Sequence, residues 1–423
     1  MSFVKNDKKV ISAWTFYDWA NSVYPLVITS AIFPIFYENV VAEHVVFFGC
    51  SLVNTELYSY VVSLSFIIVA VSSPLLSGIA DYSGSKKSFM KFFCYLGAFS
   101  CMSLYFFNSD YLELSMISVL LASVGFWGSL VFYNAYLPEI ATSDLHDKIS
   151  AKGFSRGYIG SSILLIICLV LIQLMDVNPK YSFVLTGLWW VGFGQITFKK
   201  LPNNIYNHKS EGGVFLKGFY ELISVWKQLK VNVNLKRYLG AFFIYSMGVQ
   251  TVMIMAIFFG AKEIAWTDES SKTTGLIMSV LIIQFIAIAG AYLMAYLSSK
   301  MGNIKTLAIS IFIWIGICVG AYGFVTEPIH FYFIAVAVGF VMGGIQSLSR
   351  STYSKLLPET EDYASFFSFY DVTEKIAIVI GTFAYGFIEG LTGDMRQSIL
   401  AVIVFFILGF LLLLRIPKNQ ALN

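Results

Sequence analysis

The chain has 423 residues, of which 57% are hydrophobic and only 13% charged, with a formal net charge of +3. Soluble domains carry about 25% charged residues, so this composition excludes a water-soluble globule and places most of the chain in a bilayer. The basic residues are spread over short turns beside apolar segments and form no clustered face, so no nucleic-acid partner is expected.

A membrane-crossing helix needs about 20 mostly apolar residues to cover about 30 Å of hydrocarbon. The first candidate, near residues 11–37, follows Lys5, Lys8 and Lys9. Its basic start resembles a signal peptide, but it is too long, is interrupted by Asp18 and Asn21, and lacks a small-residue cleavage site. It reads as an uncleaved span. Asp18, Asn21, Ser22, Pro25 and Thr29 fall along one side of that helix. A charge at mid-membrane costs about 2.5–3.5 kcal/mol, so this side faces protein or water rather than lipid.

Further spans are expected near residues 54–80, 88–107, 112–137, 149–175 and 181–198. The second ends in the turn Asp81-Tyr82-Ser83-Gly84-Ser85-Lys86-Lys87, and the fourth closes on Tyr133-Asn134-Ala135-Tyr136-Leu137-Pro138-Glu139. In the fifth, Gly153, Gly157 and Gly160 allow close helix packing, and Arg156 lies about two turns from the start. Arg156 can snorkel to the interface, pair with Asp18, or bind a substrate carboxylate.

Residues 199–235 form the one long connection. Phe215, Phe219, Leu222, Trp226 and Leu229 make a helical stripe opposite Lys217, Glu221, Ser224 and Gln228, the pattern of a linker helix lying in the headgroup layer. Six more spans follow near 236–261, 273–298, 304–325, 328–355, 362–389 and 395–415. The tenth contains Gly339 and Gly343 and ends in Tyr353-Ser354-Lys355-Leu356-Leu357-Pro358-Glu359. This repeats Y-x3-L-P-E at a spacing of 220 residues, and the turn Ser299–Lys305 echoes the one at Asp81. Such fixed-period similarity predicts an internally duplicated fold, with six-helix bundles at 1–198 and 236–423 around a 199–235 linker. In the eleventh span Asp371, Glu374 and Lys375 share one side, and Asp371 can pair with Lys375 at i, i+4.

Twelve spans put both termini on one side, and 23 of the 28 Lys and Arg fall on that side. By the positive-inside rule it is the cytoplasmic one. The four histidines lie in or beside loops, the five cysteines include no CxxC pair, and no phosphate-cradling loop occurs. We therefore expect no catalytic residue, no metal, no cofactor and no ATP-driven step.

The buried charges admit two readings. They are ion pairs that hold helices in register, or they line a cavity near the bilayer midplane where polar solutes bind. In the second reading Arg156 or Lys375 holds a carboxylate and Asp18 or Glu374 an ammonium group, which suits a zwitterion. A carboxylate in such a place can also take up a coupling proton, and Asp18 or Glu374 is the candidate. Asp81, Lys86, Glu139, Arg350 and Glu359, in or near the repeated turns, are candidates for a cytoplasmic gate.

Twelve spans, a central loop and a D-x-x-G-x-K-K turn after the second span resemble the major facilitator superfamily. Ser77, Tyr82 and Ser85 stand where its signature turn has Gly, Arg and Arg. Within it the chain resembles the vacuole effluxer family of autophagy-related amino-acid effluxers, in its compact bacterial form. The residues that carry this are Tyr17-Asp18-Trp19-Ala20-Asn21-Ser22, Tyr133 to Glu139, Gly343-Gly344-Ile345-Gln346-Ser347-Leu348-Ser349-Arg350-Ser351 and Phe366-Phe367-Ser368-Phe369-Tyr370. Ser368 replaces the usual Gly, and Thr382 follows Gly381 where Pro is common.

The resemblance implies an all-α major facilitator fold and a secondary carrier working by alternating access, with spans 1, 4, 7 and 10 lining its cavity. The expected site is Asp18, Asn21, Tyr133, Asn134, Arg156, Gln346, Asp371, Glu374 and Lys375. Expected partners are a small solute, amino acids foremost, a proton or other coupling ion, and the lipid of a bacterial cytoplasmic membrane. A lysolipid or hydrophobic-drug carrier is the alternative within transport. A non-transporting receptor or scaffold is the alternative outside it.

Overall fold

The computed structural model describes residues 4–206, 208 and 214–417, with only the helical backbone at Val214 and Phe215. The expected stripe position Phe215 and the tallied Lys209 and Lys418 thus lie outside the described side chains.

The first span does not run as one α-helix. α1 (Lys8–Asn21) starts at Asp7, whose carboxylate accepts the backbone N–H of Lys9 at 2.6 Å, the usual device for an orphan helix donor. Pro25 cannot supply an N–H to the ladder. The chain passes there into a wider π turn at Tyr24–Ala31 before α2 (Phe33–Val40). An antiparallel hairpin follows, β1 (His44–Phe47) and β2 (Cys50–Val53), turning at Phe48 and Gly49 with positive φ at both. The span reading contained no strand here. Cys50 is exposed on this hairpin, whereas Cys94, Cys101, Cys168 and Cys318 are buried.

The remaining elements are α3 (Asn54–Ser83), α4 (Lys86–Ser103), α5 (Leu112–Ile140), α6 (His146–Met175), α7 (Lys180–Lys200), α8 (Val214–Val231), α9 (Val233–Glu263), α10 (Glu269–Met301), α11 (Asn303–Gly323), α12 (Pro328–Leu356), α13 (Tyr363–Thr392) and α14 (Met395–Leu414). Among the described residues, eleven helical stretches are long and apolar enough to cross a membrane. The less apolar α7 has 21 residues, about 30 Å of helix, and completes twelve.

The chain forms two compact units. The first comprises Met1–Ile140, Arg156–Val225 and Glu361–Phe369; the second comprises Ala141–Ser155, Trp226–Thr360 and Tyr370–Asn423. Each half of the sequence thus cedes one short stretch, 141–155 or 361–369, to the other unit.

In the first unit α4 packs on α5 and α7, α1 on α7, and α3 on α5. Its core is aromatic. Trp14 stacks on Tyr133 with ring centroids 4.5 Å apart and donates its indole N–H to the Tyr133 carbonyl at 2.8 Å. Gly84 ends α3 with φ +64°, a conformation open to glycine at little cost. In the second unit α10 lies against α12 through small residues. A Cβ on Gly343 would sit 2.1 Å from the Ala287 carbonyl oxygen, and one on Gly290 2.0 Å from that of Phe340. Lacking those carbons, the backbones approach closely, as membrane helices do where apolar contact alone gives no advantage over lipid.

Candidate functional site

Each unit buries its own polar groups. In the first, α1 brings Asp18 and Asn21 inside, both buried, against α5. The Tyr133 phenol donates to Asp18 Oδ2 at 2.6 Å. Asn134, the next residue on α5, is half-buried. Arg156 of α6 is half-buried too; its guanidinium donates to the Ser12 carbonyl at 2.8 Å and the Thr15 hydroxyl at 2.6 Å, and lies over the Phe16 ring. The Arg156 side chain is thus fixed to α1 within one turn of Asp18.

The turn after α3 holds a second cluster in this unit. Lys86 pairs with Asp81 at 3.3 Å and with Glu139, and all three are buried. Asp81 also accepts the backbone N–H of Ala364 and Ser365, at 3.2 and 2.7 Å. These belong to the first turn of α13, where four N–H groups lack helical acceptors and the helix dipole favours an anion. Two sequence-distant ends, at Glu139 and at Ser365, are thereby tied to one lysine and one aspartate.

In the second unit, α13 places Asp371, Glu374 and Lys375 together. Lys375 Nζ lies 2.8 Å from Asp371 Oδ1 and 3.4 Å from Glu374 Oε2. Gln250 of α9 donates to Glu374 Oε1 at 2.8 Å. Lys375 and Asp371 are sealed, while the Glu374 side chain is 19% exposed and so the accessible member. Gln346 of α12 is half-buried, its amide against the Met253 sulfur at 3.3 Å.

Of the gate candidates, Asp81, Lys86 and Glu139 form one cluster in the first unit. In the second unit Arg350 donates to the Ser150 hydroxyl at 2.9 Å and carbonyl at 3.1 Å, and lies over the Phe154 ring. Glu359 is exposed and, among the described residues, has no ion-pair partner. Helix α12 stops at Leu356, before Pro358, so Glu359 falls beyond its end; α5 runs through Pro138 and keeps Glu139 inside.

Two groups escaped the sequence reading. Gln250 is one, an amide whose role shows only once Glu374 is placed opposite it. The other is Asp147, at the start of α6, which accepts from Lys355 at 2.6 Å, Asn303 at 2.8 Å and Ser298 at 2.9 Å. Asp147 stands in no repeated motif and went unremarked, although Lys355 lies inside the second Y-x3-L-P-E copy and Asn303 inside the echoed turn.

Two units of long apolar helices, each with ionic groups held inside, define a multi-pass membrane protein of major facilitator fold. Solved members agree. The human organic anion transporter MFSD10 matches with a TM-score of 0.73 over 97% of this chain and 100% of its own, at 11% identity. The FucP transporter in its outward conformation matches with a TM-score of 0.70 over 97% and 98%, at 14% identity. The vacuole effluxer Atg22-like family model matches residues 6–423, and the chain belongs to that family. It is 31% identical to the MFS-type transporter YxiO of Bacillus subtilis (strain 168), over 99% of this chain and 97% of the relative. It is 25% identical to autophagy-related protein 22 of Pichia angusta, over 85% and 75%. The protein is a secondary transporter of a small molecule and not an enzyme.

Proposed function

We propose that this transporter moves small polar or zwitterionic solutes, amino acids foremost, across a bacterial cytoplasmic membrane by alternating access, coupled to protons, with both termini in the cytoplasm. The observation that carries the reading is the Asp371–Glu374–Lys375 group with Gln250. A carrier of apolar cargo has no use for an ammonium and two carboxylates inside its helices, where each unpaired charge is costly. Glu374, the accessible carboxylate, suits a solute ammonium. Arg156, with a planar fork of donors, suits a carboxylate. Asp18, Asn21, Tyr133 and Asn134 complete the polar lining of the first unit, and Gln346 adds to that of the second.

In this reading the Asp81–Lys86–Glu139 cluster, and Arg350 on Ser150, act as cytoplasmic latches that form in one state and release in another. The 1–198 and 236–423 bundles are the moving parts, linked by 199–235.

Counterflow in proteoliposomes tests the proposal. Vesicles preloaded with an unlabelled amino-acid mixture should take up labelled leucine or another member of that mixture, with rates that respond to an imposed pH gradient. Extrusion of a lipophilic dye with no amino-acid counterflow would overturn it. Asp18→Asn that transports like the parent, with the same response to the gradient, would remove Asp18 from the mechanism.

A further inference from the structure

The linker that follows α7 is fastened to the first unit from its first residues. Lys87 of α4 donates to the Leu201 carbonyl at 2.8 Å, and the Tyr136 phenol of α5 donates to the Pro202 carbonyl at 2.9 Å. Asn204 then turns the chain back on itself. Its amide donates to the His208 carbonyl at 2.8 Å, and its Oδ1 accepts the His208 backbone N–H at 3.0 Å. This turn is seated on Gly84, where a Cβ would lie 2.4 Å from Asn204 Oδ1. Within it, the Tyr206 ring has Lys86 Nζ 5.6 Å from its centre and meets the His208 ring at 5.8 Å in an edge contact.

His208 carries the linker on to the start of α13. Its Nε2 lies 3.1 Å from Glu361 Oε2, with the two side chains 25% and 56% exposed. Although close, the two atoms are not aligned for a hydrogen bond. A neutral imidazole thus gains little from the contact, whereas an imidazolium is attracted to a carboxylate whatever the alignment. Other charges face this corner. Asp81 and Glu139 pair with Lys86 and, with Tyr363 and Glu361, act on Tyr206; Asp362 acts on Asp81, and Lys5 on Glu139. Among these groups His208 is the imidazole, the side-chain type that ordinarily changes charge between about pH 5 and 8. Glu361 stands two residues before α13, which begins in the first unit and passes to the second after Phe369.

We infer that residues 201–208 act as a strap whose grip on the start of α13 is set by the charge on His208: acid closes the His208–Glu361 pair, and alkali releases it. The ties at Leu201, Pro202 and Asn204 involve no imidazole side chain and hold the strap in place in both states. An exposed ion pair contributes little, so the strap shifts a balance by up to about fivefold and does not lock it. The consequence for transport rests on the proposed alternating access. In that cycle α13 moves with the 236–423 bundle while the strap stays with the 1–198 bundle. A tighter grip therefore slows the carrier, and acidification of the cytoplasm brakes it.

Hydrogen–deuterium exchange of the full-length protein in phosphatidylcholine nanodiscs tests the strap, from about pH 5.5 to about pH 8.5, with labelling times scaled to intrinsic exchange. After that scaling, peptides covering 361–365 should exchange up to about fivefold more slowly at the acid end. His208→Gln and Glu361→Gln should each abolish this dependence, and His208→Arg should keep the protection at every pH. A response that survives His208→Gln, or His208→Arg exchanging like His208→Gln, overturns the strap. So does the absence of any response in the parent, a series that needs no variant to fold. Counterflow of a labelled amino-acid mixture, at equal pH on both sides of the vesicle membrane, tests the brake. Near neutral pH, His208→Arg should be slower than His208→Gln by up to about fivefold. Equal rates overturn the brake and leave the carrier intact. No counterflow in the parent overturns the proposed solute class, and the exchange series then decides the strap by itself.

Discussion

Tyr133 and Asp18 lie 115 residues apart in sequence and are joined by a 2.6 Å hydrogen bond from phenol to carboxylate inside the first unit. Trp14 fixes the tyrosine from behind by stacking on its ring and donating to its carbonyl. A hydrogen bond to a charged group contributes about 1.5–3 kcal/mol. Tyr133→Phe should therefore lower stability in detergent by about that much. In an Asp18→Asn background the same change should cost clearly less, because the charge it served is gone. Unfolding of the four proteins of this cycle measures the coupling; equal costs in both backgrounds would mean the bond is incidental.

Among the described residues, Lys86 is the cation that pairs with both Asp81 and Glu139. Breaking a buried ion pair from one side costs about 3–5 kcal/mol, since the partner charge remains unpaired. Lys86→Ala should sharply reduce the yield of monodisperse protein. Adding Glu139→Gln should restore part of it by removing one stranded charge. Parental melting behaviour in the single variant would contradict the geometry.

Asp81 also holds the first turn of α13 through Ala364 and Ser365. In Asp81→Asn these amides lose a charged acceptor. Hydrogen–deuterium exchange should quicken in peptides spanning 361–369 and stay unchanged in the later turns of α13. Uniform exchange along the helix would show that the aspartate does not anchor it.

Glycines on the two sides of the second unit should respond oppositely. Gly343→Ala places a carbon 2.1 Å from the Ala287 carbonyl oxygen and should destabilise by about 1–3 kcal/mol. Gly316→Ala, in α11 with open space around the new carbon, should be neutral or slightly stabilising. Melting temperatures of the two variants against the parent provide the check.

Much of this architecture was legible in the sequence because lipid imposes a simple rule, about 20 apolar residues per crossing with charges confined to the ends. The exceptions to that rule, Asp18 and the Asp371–Glu374–Lys375 group, stand out for the same reason, and all four are enclosed in helices. The i, i+4 pair of Asp371 and Lys375 could be read from helix geometry alone. What stayed hidden depends on contacts between distant segments. The repeated Y-x3-L-P-E motif suggests equal roles for Glu139 and Glu359, yet one is buried on Lys86 and the other is exposed. Their difference turns on whether the helix continues past the proline, which no local pattern states. Asp147 reads as an ordinary loop charge until Lys355 and Asn303 are folded against it. Pro25 marks an irregularity, but not that the chain would widen into a π turn there. The stretches 141–155 and 361–369 leave no compositional trace of their exchange between units.

Of five thiols, four are enclosed by helices and the one at Cys50 sits open on the hairpin between the first two spans. Nature has thus left a solitary chemical handle on this carrier. A maleimide too polar to enter cells should mark the protein once, without any engineered residue. Whether it does so in whole cells or only after lysis reports directly which face of the membrane the hairpin occupies.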